Sequence, residues 1–187
     1  LQDGRFRSRN HKEYFNMNHL IKDISKIKDN VIFDGELYNH DMTFQELMKY
    51  VKLKEIKDDK ADMLPQIKKL VEYHIFDCYF PDAPDMPFIE RYAYLQSLNF
   101  KKTMIHIVDI LEMDTIEELK GLHDEYASQG YEGIMLRTPS SPYEFKRSKF
   151  LQKYKVFIDE EFEVIGYTKD NNRHCSANVW FVFHLYE

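Results

Sequence analysis

Residues 132–155 constrain this chain more than any other stretch. Glu132-Gly133-Ile134-Met135-Leu136-Arg137 places an acid on a short apolar strand. A connection carrying Pro139 and Pro142 follows, and proline has no backbone N–H to offer a sheet. The chain resumes as Phe145-Lys146-Arg147-Ser148-Lys149-Phe150-Leu151-Gln152-Lys153-Tyr154-Lys155. Lys153 and Lys155 stand two apart, so they share one face of the second strand. A carboxylate able to hold a divalent cation thus lies near two ammonium groups able to hold phosphates. That combination suits chemistry on a nucleoside triphosphate.

Charge distribution supports a local phosphate site more than a general nucleic-acid coat. The net charge is −6, yet residues 145–155 carry five basic side chains and no acidic one. Asp159, Glu160, Glu161 and Glu163 follow at once. The chain of 187 residues is long enough for one good core and the start of a second unit. It has no run of membrane-span length and no signal-peptide pattern. Cys78 and Cys175 have no CxxC spacing and read as reduced thiols. The eight histidines lack ligand spacing, and His74 and His106, in apolar strands, read as core or core-edge residues and not as metal ligands.

The rest of the chain reads as strands with interspersed helices. Asp3-Gly4 is a hairpin-turn dipeptide, followed by a strand over Phe6 to Arg9. Leu20, Ile24 and Ile27 keep helical spacing. Val31 to Tyr38 is a mostly apolar strand. Thr43-Phe44-Gln45-Glu46 has the capping-box pattern, with Phe44, Leu47, Met48 and Val51 on one helical face. Residues 54–69 fit a helix turn or a loop equally. Leu70 to Phe80 reads as a buried strand, ended by Pro81 and Pro84. Pro87 opens a helix with Phe88, Tyr92, Leu95 and Leu98 inward. Met104 to Leu111 is another strand. Asp114-Thr115-Ile116-Glu117 caps a helix carrying Ile116, Leu119, Leu122 and Tyr126, and Gly130 stops it. Strands over 132–137, 149–156, 160–168 and 177–186 complete the pattern. Without a regular βαβ alternation, an α+β fold of antiparallel sheets is expected.

Several blocks now stand in an order that resembles the covalent nucleotidyltransferases, most closely the ATP-dependent DNA ligases. Ser8-Arg9-Asn10 resembles the arginine-bearing segment after the family's nucleophile motif. Phe33-Asp34-Gly35-Glu36-Leu37 resembles its third motif, and His74-Ile75-Phe76-Asp77 its aromatic strand. Pro87 to Arg91 resembles the helix that follows. Tyr131 to Arg137 resembles the fourth motif and Leu151 to Lys155 the fifth. Glu161 to Tyr167 resembles the beginning of the ligase OB domain. The resemblance implies a nucleotidyltransferase (ATP-grasp-like) fold of antiparallel sheets with flanking helices over residues 1–158. It implies the first strands of an OB-fold β-barrel over 159–187.

The resemblance also implies roles. Arg9 would contact the ribose or a phosphate of the nicked strand, using its fixed donor fork. Glu36 would accept from a ribose hydroxyl or help place a metal. Phe76 would stack on adenine, a contact worth roughly 1–3 kcal/mol by analogy with base stacking. Glu132 would be an oxygen ligand for Mg²⁺. Lys153 and Lys155 would hold the α-phosphate and stabilise charge as pyrophosphate leaves. Arg137, Lys146, Arg147 and Lys149 would meet DNA phosphates. The implied partners are ATP and nicked duplex DNA, for a monomer in the cytoplasm, on the nucleoid, or in a nucleus. An RNA ligase, an mRNA-capping guanylyltransferase and a non-catalytic nucleotide- or nick-binding module are the alternatives.

One departure stands out. The family's Lys-x-Asp-Gly-x-Arg nucleophile motif does not occur here. Leu1-Gln2-Asp3-Gly4 mimics it with leucine in place of lysine. Aligning the two would put Phe6 on the arginine, so Asp3-Gly4 is read as a turn. The motif itself is expected just before Leu1, and the rest of the OB domain after Glu187.

Overall fold

The computed structural model describes residues 4–54 and 63–155, together with the backbone of residues 164–169 and 179–183. The elements run β1 (Phe6–Arg7), β2 (Glu13–Tyr14), α1 (Asn18–Ile24), β3 (Ile32–Tyr38), α2 (Phe44–Val51), α3 (Met63–Leu70) and β4 (Glu72–Tyr79). They continue as α4 (Phe88–Ser97), β5 (Ile105–Ile107), α5 (Ile116–Ser128), β6 (Ile134–Arg137), β7 (Leu151–Tyr154), β8 (Val164–Lys169) and β9 (Val179–Phe183). No helix among the described residues is long and apolar enough to cross a membrane. Asp3, Cys175 and the expected boundary at 158/159 lie outside the described residues.

Local chemistry starts the helices where the sequence placed them. At α2 the Thr43 hydroxyl accepts from the Glu46 N–H while Glu46 accepts from the Thr43 N–H. Thr115 and Glu118 repeat the arrangement at α5. Each box satisfies donors that a helix start otherwise leaves orphaned. The α5 box has the more to do, because His123 is the only fully buried residue of that helix. A helix of this length is marginal in water without packing. Ile116 is 65% exposed and Phe44 is 70% exposed, so both drop off the inward faces expected for them. Each is the first residue of its helix, beyond the reach of the core.

The main core packs α1, α2, α3 and α4 against a three-stranded sheet. Leu20, Leu47, Ile67, Ile75, Leu95 and Ile105 lie within it. The sheet order is β3-β4-β5. The β3–β4 pair is antiparallel, but β4–β5 is parallel, unlike the all-antiparallel expectation. The chain between them passes through α4, which supplies the crossover a parallel pair requires. Strands β1 and β2 pair as a hairpin whose reversal is Ser8 to Lys12, with the Ser8 N–H bonded to the Lys12 carbonyl at 2.7 Å. The turn is therefore downstream of Asp3-Gly4, and Gly4 only leads into β1 with a φ of +67°. Strands β6–β7 and β8–β9 form two further antiparallel pairs.

A buried charge cluster links β4, α4 and β6. Asp77 is fully buried and accepts a two-pronged contact from Arg91, at 2.8 Å from Nε and 3.0 Å from Nη2. Arg137 reaches the same carboxylate from β6 and lies over the Phe88 ring, 4.4 Å from its centroid. Arg91 also donates to the carbonyls of Met86 and Ser141. The first N–H groups of α4 join in: Phe88 donates to Ser141 O and Ile89 to Pro139 O. The proline-bearing connection after β6 thus caps α4.

Breaking a buried ion cluster by removing its centre leaves charges that nothing compensates. Asp77→Ala should cost on the order of 3–5 kcal/mol of stability. Arg137→Met should cost less, since the Arg91–Asp77 fork survives it. Urea unfolding of the two variants measures the difference, and equal midpoints would contradict the central role of Asp77.

Candidate active site

The site begins with an approach only glycine allows. Gly133 has a φ of +155°, and a Cβ there would stand 2.4 Å from the Tyr154 carbonyl oxygen. The missing side chain lets β6 close on β7 in the register Met135↔Lys153 and Arg137↔Leu151. Glu132, just before β6, then meets both lysines: Lys153 Nζ at 2.7 Å and Lys155 Nζ at 3.4 Å. The Glu132 side chain is 72% exposed. Lys153, then Lys155, hold its carboxyl below the ordinary glutamate value. One carboxylate between two ammonium groups can exchange partners: the acid toward a cation, the lysines toward phosphate oxygens.

The second component is the open face of the β3–β4–β5 sheet. Gly35 pairs with Ile75 and Asp34 with Asp77, so Phe76 is an extra residue that bulges from β4. Gly35 sits beside this bulge, where a Cβ would come within 2.4 Å of the His74 carbonyl. Cross-strand pairing sets Glu36 directly opposite His74 and Tyr38 opposite Glu72. Glu36 is exposed and Phe76 half-buried, and Phe76 is outside the packed core. The expected fully buried strand is therefore half-open, because Glu72, His74 and Phe76 line a face that the core does not cover.

The two components meet at both ends of β6. Tyr131, the neighbour of Glu132, packs on His40 with ring centroids 5.1 Å apart, and His40 Nδ1 is 2.7 Å from the Tyr38 hydroxyl. Burial, then nearby Tyr131 and Glu36, raise the Tyr38 phenol above its ordinary value. At the other end Arg137 holds Asp77. Glu36 and Phe76 stand between these anchors along the sheet. Tyr143 closes the Asp77 end, donating to Asp34 at 2.7 Å and packing on Tyr79 and Phe145.

The remaining expected residues are dispersed. Arg9 is exposed in the β1–β2 turn. Lys146 is exposed with a loose pair to Glu144 at 3.7 Å, and Arg147 is exposed. Lys149 lies 5.1 Å from the Phe150 ring centroid. All three precede β7 in a loop, where the sequence pattern predicts a strand from residue 149. Arg137 is 15% exposed, with its guanidinium on Asp77 and over the Phe88 ring. Tyr131, which opens the fourth-motif block, and Tyr143 receive no role from the sequence, and no periodicity signals either. Arg91 also receives none, because a charge on an inward helix face looks out of place until Asp77 is opposite it.

The fold is shared with known proteins. The Chlorella virus DNA ligase-adenylate structure superposes with a TM-score of 0.62 at 24% identity, covering 97% of this chain and 65% of that one. A Lig E DNA ligase superposes with a TM-score of 0.69 at 20% identity, covering 91% and 63%. The fold is thus that of a DNA ligase nucleotidyltransferase domain. The chain belongs to the ATP-dependent DNA ligase domain family, whose model matches residues 2–155. It is 28% identical over 185 residues to the DNA ligase of African swine fever virus (strain Badajoz 1971 Vero-adapted), covering 92% of this chain and 42% of the relative. It is 32% identical over 156 residues to the DNA ligase of Archaeoglobus fulgidus, covering 79% and 27%. The chain therefore spans less than half the length of these two relatives.

The charge arrangement at Glu132 has a pH signature. Its folded pKa is lowered, so pairing with the lysines favours the fold above the unfolded carboxylate value, and that stabilisation disappears as pH falls through the folded one. The Glu132 carboxyl carbon should titrate by NMR below the ordinary value, and Lys153→Met should move it back toward that value. An unshifted midpoint in the unsubstituted chain would refute the pairing.

Proposed function

We propose that this chain supplies the adenylyl-transfer site of an enzyme that seals nicks in duplex DNA with ATP. The observation that carries the reading is Glu132 held between Lys153 and Lys155 and linked through Tyr131 to the sheet face that bears Glu36 and Phe76. Phe76 stacks on the adenine. Glu36 takes a ribose hydroxyl, and Arg9 a ribose or phosphate oxygen. Lys153 and Lys155 turn from Glu132 to the α-phosphate. A lysine amine of a Lys-x-Asp-Gly-x-Arg segment attacks that phosphorus. A P–N bond forms and the bond to pyrophosphate breaks, with the two lysines offsetting the developing charge. AMP next passes to the 5′-phosphate of the nick, and the 3′-hydroxyl finally displaces it. Residues 159–187 begin an OB-fold unit in this scheme, and the enzyme works as a monomer.

Glu132 and Glu36 fit a hard divalent cation. Each offers an exposed carboxylate, and Mg²⁺ takes one or two carboxylates together with substrate phosphates. Bound there, Mg²⁺ would neutralise phosphate charge. The relatives matched are DNA ligases, which does not favour the RNA ligase or capping readings.

Two experiments test this. Incubated with ATP and Mg²⁺, the 187-residue chain should show no AMP adduct by intact mass, since it contains no nucleophile motif. Extended by a Lys-x-Asp-Gly-x-Arg segment in family register, it should gain one, and Glu132→Ala should abolish it. Phe76→Ala should weaken ATP binding by about 1–3 kcal/mol. Unchanged ATP affinity with a lower melting temperature would return Phe76 to the packing.

The exposed loop basics are separable from this chemistry. Lys146→Ala, Arg147→Ala and Lys149→Ala together should leave adduct formation intact. They should flatten the salt dependence of nick binding by roughly 0.9 in log–log slope for each DNA phosphate that is no longer neutralised. Abolished adduct formation with unaltered nick affinity would assign the loop to the nucleotide instead.

A further inference from the structure

We propose that Glu72, His74 and His106 form a binding site for a divalent transition metal of the zinc class, separate from the Mg²⁺–phosphate chemistry. Sheet register brings the three together. His74 and His106 are direct partners in the parallel β4–β5 pair, so both imidazoles leave the same face. Glu72 is two residues before His74 on β4 and shares that face. One carboxylate oxygen, Glu72 Oε2, lies 2.8 Å from His74 Nε2 and 3.8 Å from His106 Nε2. All three donor atoms fall within 4.8 Å of one another.

Those separations suit a small tetrahedral ion. Bonds of about 2.0–2.1 Å at tetrahedral angles put neighbouring donors about 3.3 Å apart, between the two distances seen. Two imidazole nitrogens and one carboxylate favour zinc-class ions, whereas Mg²⁺ prefers oxygen throughout. His106 is 46% exposed and Glu72 29%, so an ion can enter and a water can take the fourth position. The ion has a structural task as well. Strand β5 spans only three residues, and a metal shared with β4 clips this short edge strand in register. His74 is also the cross-strand partner of Glu36, which puts the clip against the proposed nucleotide face.

Co²⁺ titration of the full chain, without ATP, tests the site. One equivalent should bind with the visible absorption of a four-coordinate ion, and Zn²⁺ should displace it. His106→Gln and Glu72→Gln should each weaken Co²⁺ binding at least tenfold, while His11→Gln, in the exposed β1–β2 turn, should leave it unchanged. Zn²⁺ should raise the melting temperature of the parent chain and not of His106→Gln. Absence of stoichiometric binding overturns the proposal, as does unchanged affinity in either ligand variant. Neither result depends on whether the chain transfers adenylate.

Discussion

The carboxylate of Asp77 is the point on which the arrangement depends. It is fully buried on β4, and it takes one guanidinium from α4 and another from β6. Without it, Arg91 and Arg137 would bring two positive charges into one apolar region. With it, a helix, the main sheet and the β6–β7 pair share a single electrostatic contact. The same region carries the carbonyls of Pro139 and Ser141 that cap α4. The connection after β6 is therefore fixed by charge and by backbone hydrogen bonds together. A buried ion cluster adds little net stability over an apolar one of equal shape, but it rejects arrangements that leave a charge unpaired. Here it specifies how the β6–β7 pair meets the sheet.

Two glycines and one bulge turn that docking into a site. The bulge at Phe76 shifts the β4 register by one residue between Ile75 and Asp77. In consequence Phe33↔Cys78 continues the buried side while His74 and Glu36 share the open one. Burial pushes the Cys78 thiol up to about 12, which keeps it an inert packing group. Gly35 admits the neighbouring strand at the bulge, and Gly133 admits β7 beside Glu132. Gly35 stands next to the exposed Glu36 and Gly133 next to the exposed Glu132.

Much of this is legible in the sequence wherever the signal is local. The Thr43 capping box, the inward stripe Phe88-Tyr92-Leu95 and the presence of strands around Met135 and Lys153 follow from spacing alone, whereas the second box joins Thr115 to Glu118, one residue on from Asp114 and Glu117. The ordered motifs identify the family without any geometry. What the sequence hides is long-range. Nothing in Met104 to Leu111 says that three residues of it pair parallel to β4, so the meeting of His74 with His106 is invisible there. Strand periodicity cannot show that Leu70 to Phe80 has an open side, because its polar residues are few and the bulge changes phase midway. Arg137 looks available because its partner is sixty residues away. The spacing of Lys153 and Lys155 does foretell that both reach one acid, since that depends on alternation within a single strand.

The two ends of β6 carry the same charge pattern, one acid between two cations, put to opposite uses. At Asp77 the side chains are 0%, 1% and 15% exposed. At Glu132 the acid is 72% exposed and its lysines 41% and 34%. Exposed pairs contribute about 0–1 kcal/mol and are screened by water, so a ligand with stronger charges can displace them. Buried pairs resist exchange, because each ion must be desolvated again elsewhere. Arginine serves the buried end, where a planar fork matches a carboxylate, and lysine the exposed end, where a mobile point charge can swing to phosphate. Gradation of burial along one short strand thus makes one end an anchor and leaves the other free to change partners.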